Sequence, residues 1–129
     1  WLAYVSDESG RVEVYASPFP GPGEKYPIST AGGSEPVWAR SGRELFFRSG
    51  DQMMVVDINA RPGFSASRPR LLFTGAFTRR GNDDASNYDV SPDGQSFVML
   101  NSGEDDRAAT QMNVVFNWFD ELKRRVPTK

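Results

Sequence analysis

Pro36-Val37-Trp38-Ala39-Arg40-Ser41-Gly42-Arg43-Glu44-Leu45-Phe46-Phe47-Arg48-Ser49 and Tyr88-Asp89-Val90-Ser91-Pro92-Asp93-Gly94-Gln95-Ser96-Phe97-Val98-Met99-Leu100-Asn101 follow one pattern. Each reads as a short strand, a polar turn ending in glycine, a second apolar strand and a second polar turn. A third copy opens inside its second strand, at Trp1-Leu2-Ala3-Tyr4-Val5-Ser6. Leu2, Leu45 and Phe97 then align at intervals of 43 and 52 residues.

Working outward from these stretches, residues 1–5 are a continuous apolar run and read as a strand buried on both faces. After the turn Asp7-Glu8-Ser9-Gly10, Val12, Val14 and Ala16 alternate with Glu13 and Tyr15 as a second strand. Pro18-Phe19-Pro20-Gly21-Pro22-Gly23 interrupts any regular element. Residues 26–29 suit a short outer strand, where Pro27 fits only at an edge. The middle unit places strands at 36–39, 45–47, 53–58 and 70–74, and the last at 87–90, 96–100 and 112–118. A period of about 40–50 residues with several strands per unit marks a β-propeller. The expected fold class is therefore all-β: about three blades of a β-propeller, each an antiparallel sheet of three or four strands. The units span about 1–33, 34–76 and 86–118 within a single partial domain covering 1–129. Phe119, Leu122 and Val126 return to helical spacing, with Asp120 and Glu121 first and Lys123, Arg124 and Arg125 last. That order complements the helix dipole, so a short C-terminal helix is expected over 119–126, stopped by Pro127.

Composition excludes several kinds of chemistry. Net charge is −2, from 15 basic and 17 acidic residues, so no basic face for nucleic acid is expected. No run of about 18 apolar residues is present, so no membrane insertion by this segment is expected. The chain holds no cysteine, which excludes disulfides, thiol catalysis and cysteine-ligated zinc. It also holds no histidine, which removes the Ser-His-Asp triad and histidine-ligated metals. No catalytic residue, cofactor or metal is assigned.

Asp83, Asp84, Asp89 and Asp93 are the carboxylates that could suggest calcium, but their spacing does not match an EF-hand loop. Asp93 is already required by its turn. Glu104-Asp105-Asp106-Arg107 reads as a solvated loop tip, and Lys123-Arg124-Arg125 as a solvated helix face. Of the three tryptophans, Trp38 falls on the first strand of the middle unit and is expected to pack between sheets, while Trp118 anchors the terminal helix. The best surface candidate for partner binding is Arg79 and Arg80 with Asp83 and Asp84, on the connector between the second and third units.

Ser91-Pro92-Asp93-Gly94 followed by an apolar strand resembles the TolB-type, WD-like propeller repeat of bacteria, whose unit reads roughly W-S-P-D-G-x-x-I-A-F-x-S…G…I-Y-x-x-D. Trp38, Gly42, Leu45, Phe47, Ser49 and Asp57 take those places in the middle unit, which departs from the pattern at Ala39-Arg40-Ser41. Leu2, Ala3, Tyr4, Ser6, Gly10, Val14 and Tyr15 match its later part in the first unit. The tail, from Asn117-Trp118-Phe119 to Val126-Pro127, resembles the end of propellers attached to bacterial eukaryotic-like serine/threonine kinases. The resemblance implies a non-catalytic binding or sensor module for a protein or small ligand, the C-terminal part of a larger propeller. It would be extracytoplasmic if the module belongs to a membrane-anchored kinase. The alternatives are the gating propeller of a serine peptidase of the prolyl-oligopeptidase type, or a free-standing fragment without separate activity. Three units leave two open sheet edges, and open edges pair, so a homo-oligomer formed through them is expected.

Overall fold

The computed structural model describes residues 1–77 and 86–100, and these are all-β, with no helix among them. Strands β1 (Leu2–Ser6), β2 (Glu13–Ser17) and β3 (Tyr26–Pro27) form a first antiparallel sheet in that order. The central sheet runs β4 (Ser34–Trp38), β5 (Glu44–Ser49) and β6 (Gln52–Asn59). Its outer strand is split: β7 (Ser65–Ala66) pairs with the Ile58 end of β6, and β8 (Arg70–Thr74) pairs with Gln52–Val55. A third sheet pairs β9 (Tyr88–Val90) with β10 (Phe97–Met99). The strand expected at 112–118, the helix at 119–126 and the connector residues Arg79, Arg80, Asp83 and Asp84 lie outside the described residues.

The repeat seen in the sequence returns as repeated hydrogen bonding. Ala39 N–H donates to the Glu44 carbonyl at 2.9 Å, and Gly42 N–H to the Ala39 carbonyl at 2.9 Å. At positions 52 residues later, Ser91 N–H donates to Ser96 O at 2.9 Å and Gly94 N–H to Ser91 O at 2.8 Å. Both hairpins need a left-handed residue to turn, and glycine supplies it, at φ 67° in Gly42 and 73° in Gly94. Asp93 closes the second turn by accepting from the Ser91 hydroxyl at 2.5 Å and the Gln95 N–H at 3.0 Å.

The same holds between the first and central sheets at the 43-residue offset. Val14 N–H donates to the Ser29 hydroxyl at 2.8 Å, and Ser29 N–H returns a bond to Val14 O at 3.3 Å. The corresponding residue of the central sheet, Asp57, donates to the Ser67 hydroxyl at 2.9 Å and accepts from Ser67 N–H at 2.9 Å. Each serine clamps an outer segment to the third strand of its unit. A hydroxyl can do this because it accepts from one strand while its own backbone donates back to the same residue.

Side-chain alternation divides the central sheet between two cores. Leu45, Phe47, Val56 and Ile58 pack with Val14, Ala16 and Ile28 of the first sheet, and Trp38 lies against the margin of this core, as expected. On the opposite face Ala39, Phe46, Met53 and Val55 pack with Tyr88, and Leu72, Phe73, Phe97 and Met99 close around them. Phe97 meets Phe46 edge to face at 5.1 Å between ring centroids, and Phe73 at 5.4 Å.

Two local expectations are corrected. Residues 1–5 are not buried on both faces: β1 is an edge strand, and Trp1 and Leu2 are 41% and 48% exposed. The alternation around β2 also differs. Val12 lies outside the strand and is exposed, whereas Glu13 and Tyr15 are buried. The reason is tertiary: the loop through Ser29 and Gly32 folds over Glu13, while Tyr4 stacks on Tyr15 at 5.8 Å and Lys25 lies over its ring.

Truncating Phe46 to alanine removes the ring that joins the central and third sheets. Urea unfolding of Phe46→Ala is expected to show a loss of about 3–5 kcal/mol. Hydrogen exchange should rise first in 88–99, with residues 2–17 little changed.

Candidate functional site

The two serine clamps face each other across the groove between the first and central sheets. The groove encloses about 540 Å³. Ile28, Phe47 and Met54 form an apolar floor, and Thr30, Ser49 and Arg68 stand on its polar rim. Phe47 and Met54 are cross-strand partners on the face of the central sheet turned toward the first. Thr30 and Arg68 come from the segments the two serines hold down, and Ser49 from the end of β5. An apolar floor with a few hydroxyls and an exposed guanidinium suits a small amphipathic ligand or an extended peptide side chain.

Behind the Ser29 clamp lies a buried carboxylate. Glu13 accepts a hydrogen bond from the Ser29 hydroxyl, and its two oxygens accept from Gly32 N–H at 3.0 and 3.1 Å. Arg11 donates from Nε at 2.9 Å and pairs through its second guanidinium nitrogen at 2.8 Å. Burial pushes the Glu13 carboxyl up, but the bonds from Ser29, the Gly32 amide and Arg11, with the arginine's charge, outweigh it and the net shift is downward. A Cβ at Gly33 would sit 2.5 Å from the Ser29 hydroxyl oxygen, so only glycine there lets the loop close on its clamp.

A second polar network locks the central sheet to the third. Arg48, 2% exposed, extends from the β5 face it shares with Phe46 and donates to Glu35 at 3.5 Å and to the Phe77 carbonyl at 3.4 Å. The other Glu35 oxygen accepts from Asn87 N–H at 2.9 Å, and the Tyr88 hydroxyl donates to the Glu35 carbonyl at 2.8 Å. Glu35 reaches these partners from a left-handed backbone, φ 53°, at the irregularity in β4. Burial raises the Tyr88 phenol well above its ordinary range, the Glu35 charge adds to this, and Arg48 opposes it. These bonds fasten the central sheet to the third. Trp38 differs in that its indole Nε1 is sealed from solvent without an acceptor among the described residues.

Of the residues singled out from sequence, Asp93 is a turn residue whose carboxyl is held below the usual range by the Ser91 hydroxyl and the Gln95 amide. Asp89 stands exposed on β9 and accepts from Val90 N–H. Among the described residues no three acidic side chains gather as a metal site would require. Sequence reading missed Glu13, Ser29, Ser67, Glu35 and Arg48. Arg48 carried a signal, since strict alternation places it on the face of Phe46. The serines carried none, because their roles depend on strands paired across 15 and 10 residues.

Searches against protein-family models, curated proteins and solved structures return no match to the chain.

Folding lowers the Glu13 pKa, so its contribution to stability is complete above the unfolded-state carboxyl value of about 4.3. That contribution fades as pH falls through the lower folded value. Glu13→Gln is expected to destabilise the chain by about 1–3 kcal/mol at pH 7. It should also flatten the loss of stability on acidification, read by urea midpoints from pH 7 down to about 3.

Proposed function

We propose that this chain is a non-catalytic binding module, the C-terminal part of a TolB-like, WD-like bacterial β-propeller. In this reading the three sheets are consecutive blades. Among the described residues the central sheet is the fullest, with five strands against three in the first and two in the third. The observation that carries the reading is the hydrogen-bond repeat, 39/91, 42/94 and 44/96 at one offset and 14/57 at the other. Repetition of the same turn and the same clamp in successive stacked sheets is how a propeller builds its units.

The module would act by rigid presentation. Its binding site is the groove between the first and central sheets, where an apolar floor gives affinity and Thr30, Ser49 and Arg68 give orientation. Buried, mutually satisfied polar networks beside the groove favour a fixed shape over a chemical step. The partner is a protein segment or a small ligand. The open edges of the array further favour association between copies of the chain.

Two measurements test this. Fragment screening with amide shift mapping is expected to cluster perturbations in 28–32 and 66–69, and Ala31→Trp at the rim should abolish them while leaving the fold intact. Shifts spread evenly over the surface would remove the groove from consideration. Light scattering at micromolar concentration is expected to report a species larger than the 14.4 kDa chain. A soluble monomer at every concentration would end the self-association reading.

A further inference from the structure

The groove between the first and central sheets carries one charge without a counter-charge among the described residues. Its lining holds a single ionisable side chain, Arg68, and no carboxylate. Arg68 lies in the break of the outer strand, after β7 ends at Ala66 and before β8 begins at Arg70. Its backbone is pinned there. The Ser67 hydroxyl accepts from Asp57 N–H and donates to the Arg68 carbonyl at 3.1 Å, and Pro69 disfavours a helical turn at Arg68. Arg70, two residues on, pairs with Glu44 at 3.5 Å and Asp57 at 3.7 Å. The Arg68 guanidinium, by contrast, has no hydrogen bond, ion pair or ring contact among the described residues.

The other polar side chains of the lining fall into two groups. Ser29 and Ser67 are committed to the clamps: each hydroxyl accepts from a strand amide and donates onward, to Glu13 and to the Arg68 carbonyl. The Thr30 and Ser49 hydroxyls make no such bond among the described residues and, with Arg68, are left to meet a ligand. All three can donate hydrogen bonds, and the guanidinium can only donate. Most of the remaining lining is apolar, with half-buried Met54 on the floor and Pro27, Ala31 and Ala66 on the walls. A methionine thioether is a favourable surface for an aromatic ring.

We infer that the groove binds a small carboxylate with an apolar body, the carboxylate paired to Arg68 and the body lying on Met54. This rests on the reading of the groove as the binding site and names the class of its ligand. A carboxylate is planar and acceptor-only, and a guanidinium fork meets it with two parallel bonds. One cation balances one negative charge, so a phosphate dianion would bring a second charge that the lining does not meet. An extended peptide would bring several amides into a lining with two free hydroxyls, and would leave most of them unpaired. The groove's 540 Å³ falls in the range of small-molecule sites, roughly 300–1,000 Å³.

The test titrates phenylpropionate into the full chain and reads amide shifts. The comparison probes are phenylpropionamide (its neutral isostere), acetate, phenyl phosphate and an acetylated tetrapeptide ending in a free phenylalanine carboxylate. Phenylpropionate is expected to shift residues in 28–32 and 66–69 with a Kd on the order of 1 mM. The amide, acetate and the tetrapeptide should bind about tenfold or more weakly, and phenyl phosphate no more tightly. Arg68→Gln, at an exposed position and with the fold checked by circular dichroism, should weaken phenylpropionate about tenfold and leave phenylpropionamide unchanged. Equal binding of phenylpropionate and its amide in the groove, or no loss in Arg68→Gln, would overturn this inference and leave the groove standing as a site. Binding of the tetrapeptide as tight as that of phenylpropionate, or tighter binding of phenyl phosphate, would also overturn it by assigning the groove another occupant. No shifts in 28–32 and 66–69 with any probe up to about 20 mM would overturn both readings.

Discussion

The structure depends on burying the central sheet on both faces. In β5, Leu45, Phe46, Phe47 and Arg48 are all 2% exposed or less, and consecutive residues belong to different cores. A two-sided strand fixes its register twice. A slip of one residue would exchange the contents of both cores, putting Arg48 where Phe47 belongs and leaving its charge without Glu35. The first and third sheets are placed by reference to this strand, and each covers one of its faces.

The polar groups complete what the apolar faces begin. Arg48 is held among apolar side chains because Glu35, the Phe77 carbonyl and the Phe77 ring surround its guanidinium. Glu35 in turn fixes the amide of Asn87 and the hydroxyl of Tyr88, so the third sheet is fastened by hydrogen bonds as well as by Phe97. The serine clamps serve the same end at the outer strands. Outer segments as short as Ser65–Ala66 and Tyr26–Pro27 have little ladder of their own, and Ser67 and Ser29 supply the missing attachment. Substituting one partner in such a set costs more than a single hydrogen bond, because the groups left behind stay buried.

Rigidity of this kind bears on function. The groove between the first and central sheets has walls set by the clamps and a floor set by the two-sided sheet, so its shape precedes any ligand. Its lining combines the apolar Ile28, Phe47 and Met54 with the hydroxyls of Ser29, Thr30, Ser49 and Ser67 and the Arg68 guanidinium.

Much of the fold was legible in the order of residues. The strands at β4, β5, β6, β8, β9 and β10 follow from apolar runs between Gly-bearing turns, and hydrogen bonds recur at positions matched by the 43- and 52-residue offsets. These features are local, set by strand alternation and by the left-handed glycine each hairpin needs. What sequence order could not assign was burial in the first sheet. Val12 looked like a core residue and is exposed, while Glu13 looked like a surface residue and is buried. The difference is made by a loop that folds back from 16 residues further along the chain to place the Ser29 hydroxyl on that carboxylate, a contact of no fixed sequence spacing. The sequence by itself determined the all-β repeat. Only the tertiary structure decided which polar groups became structural and where the groove opens, because both depend on segments distant in sequence meeting across sheets.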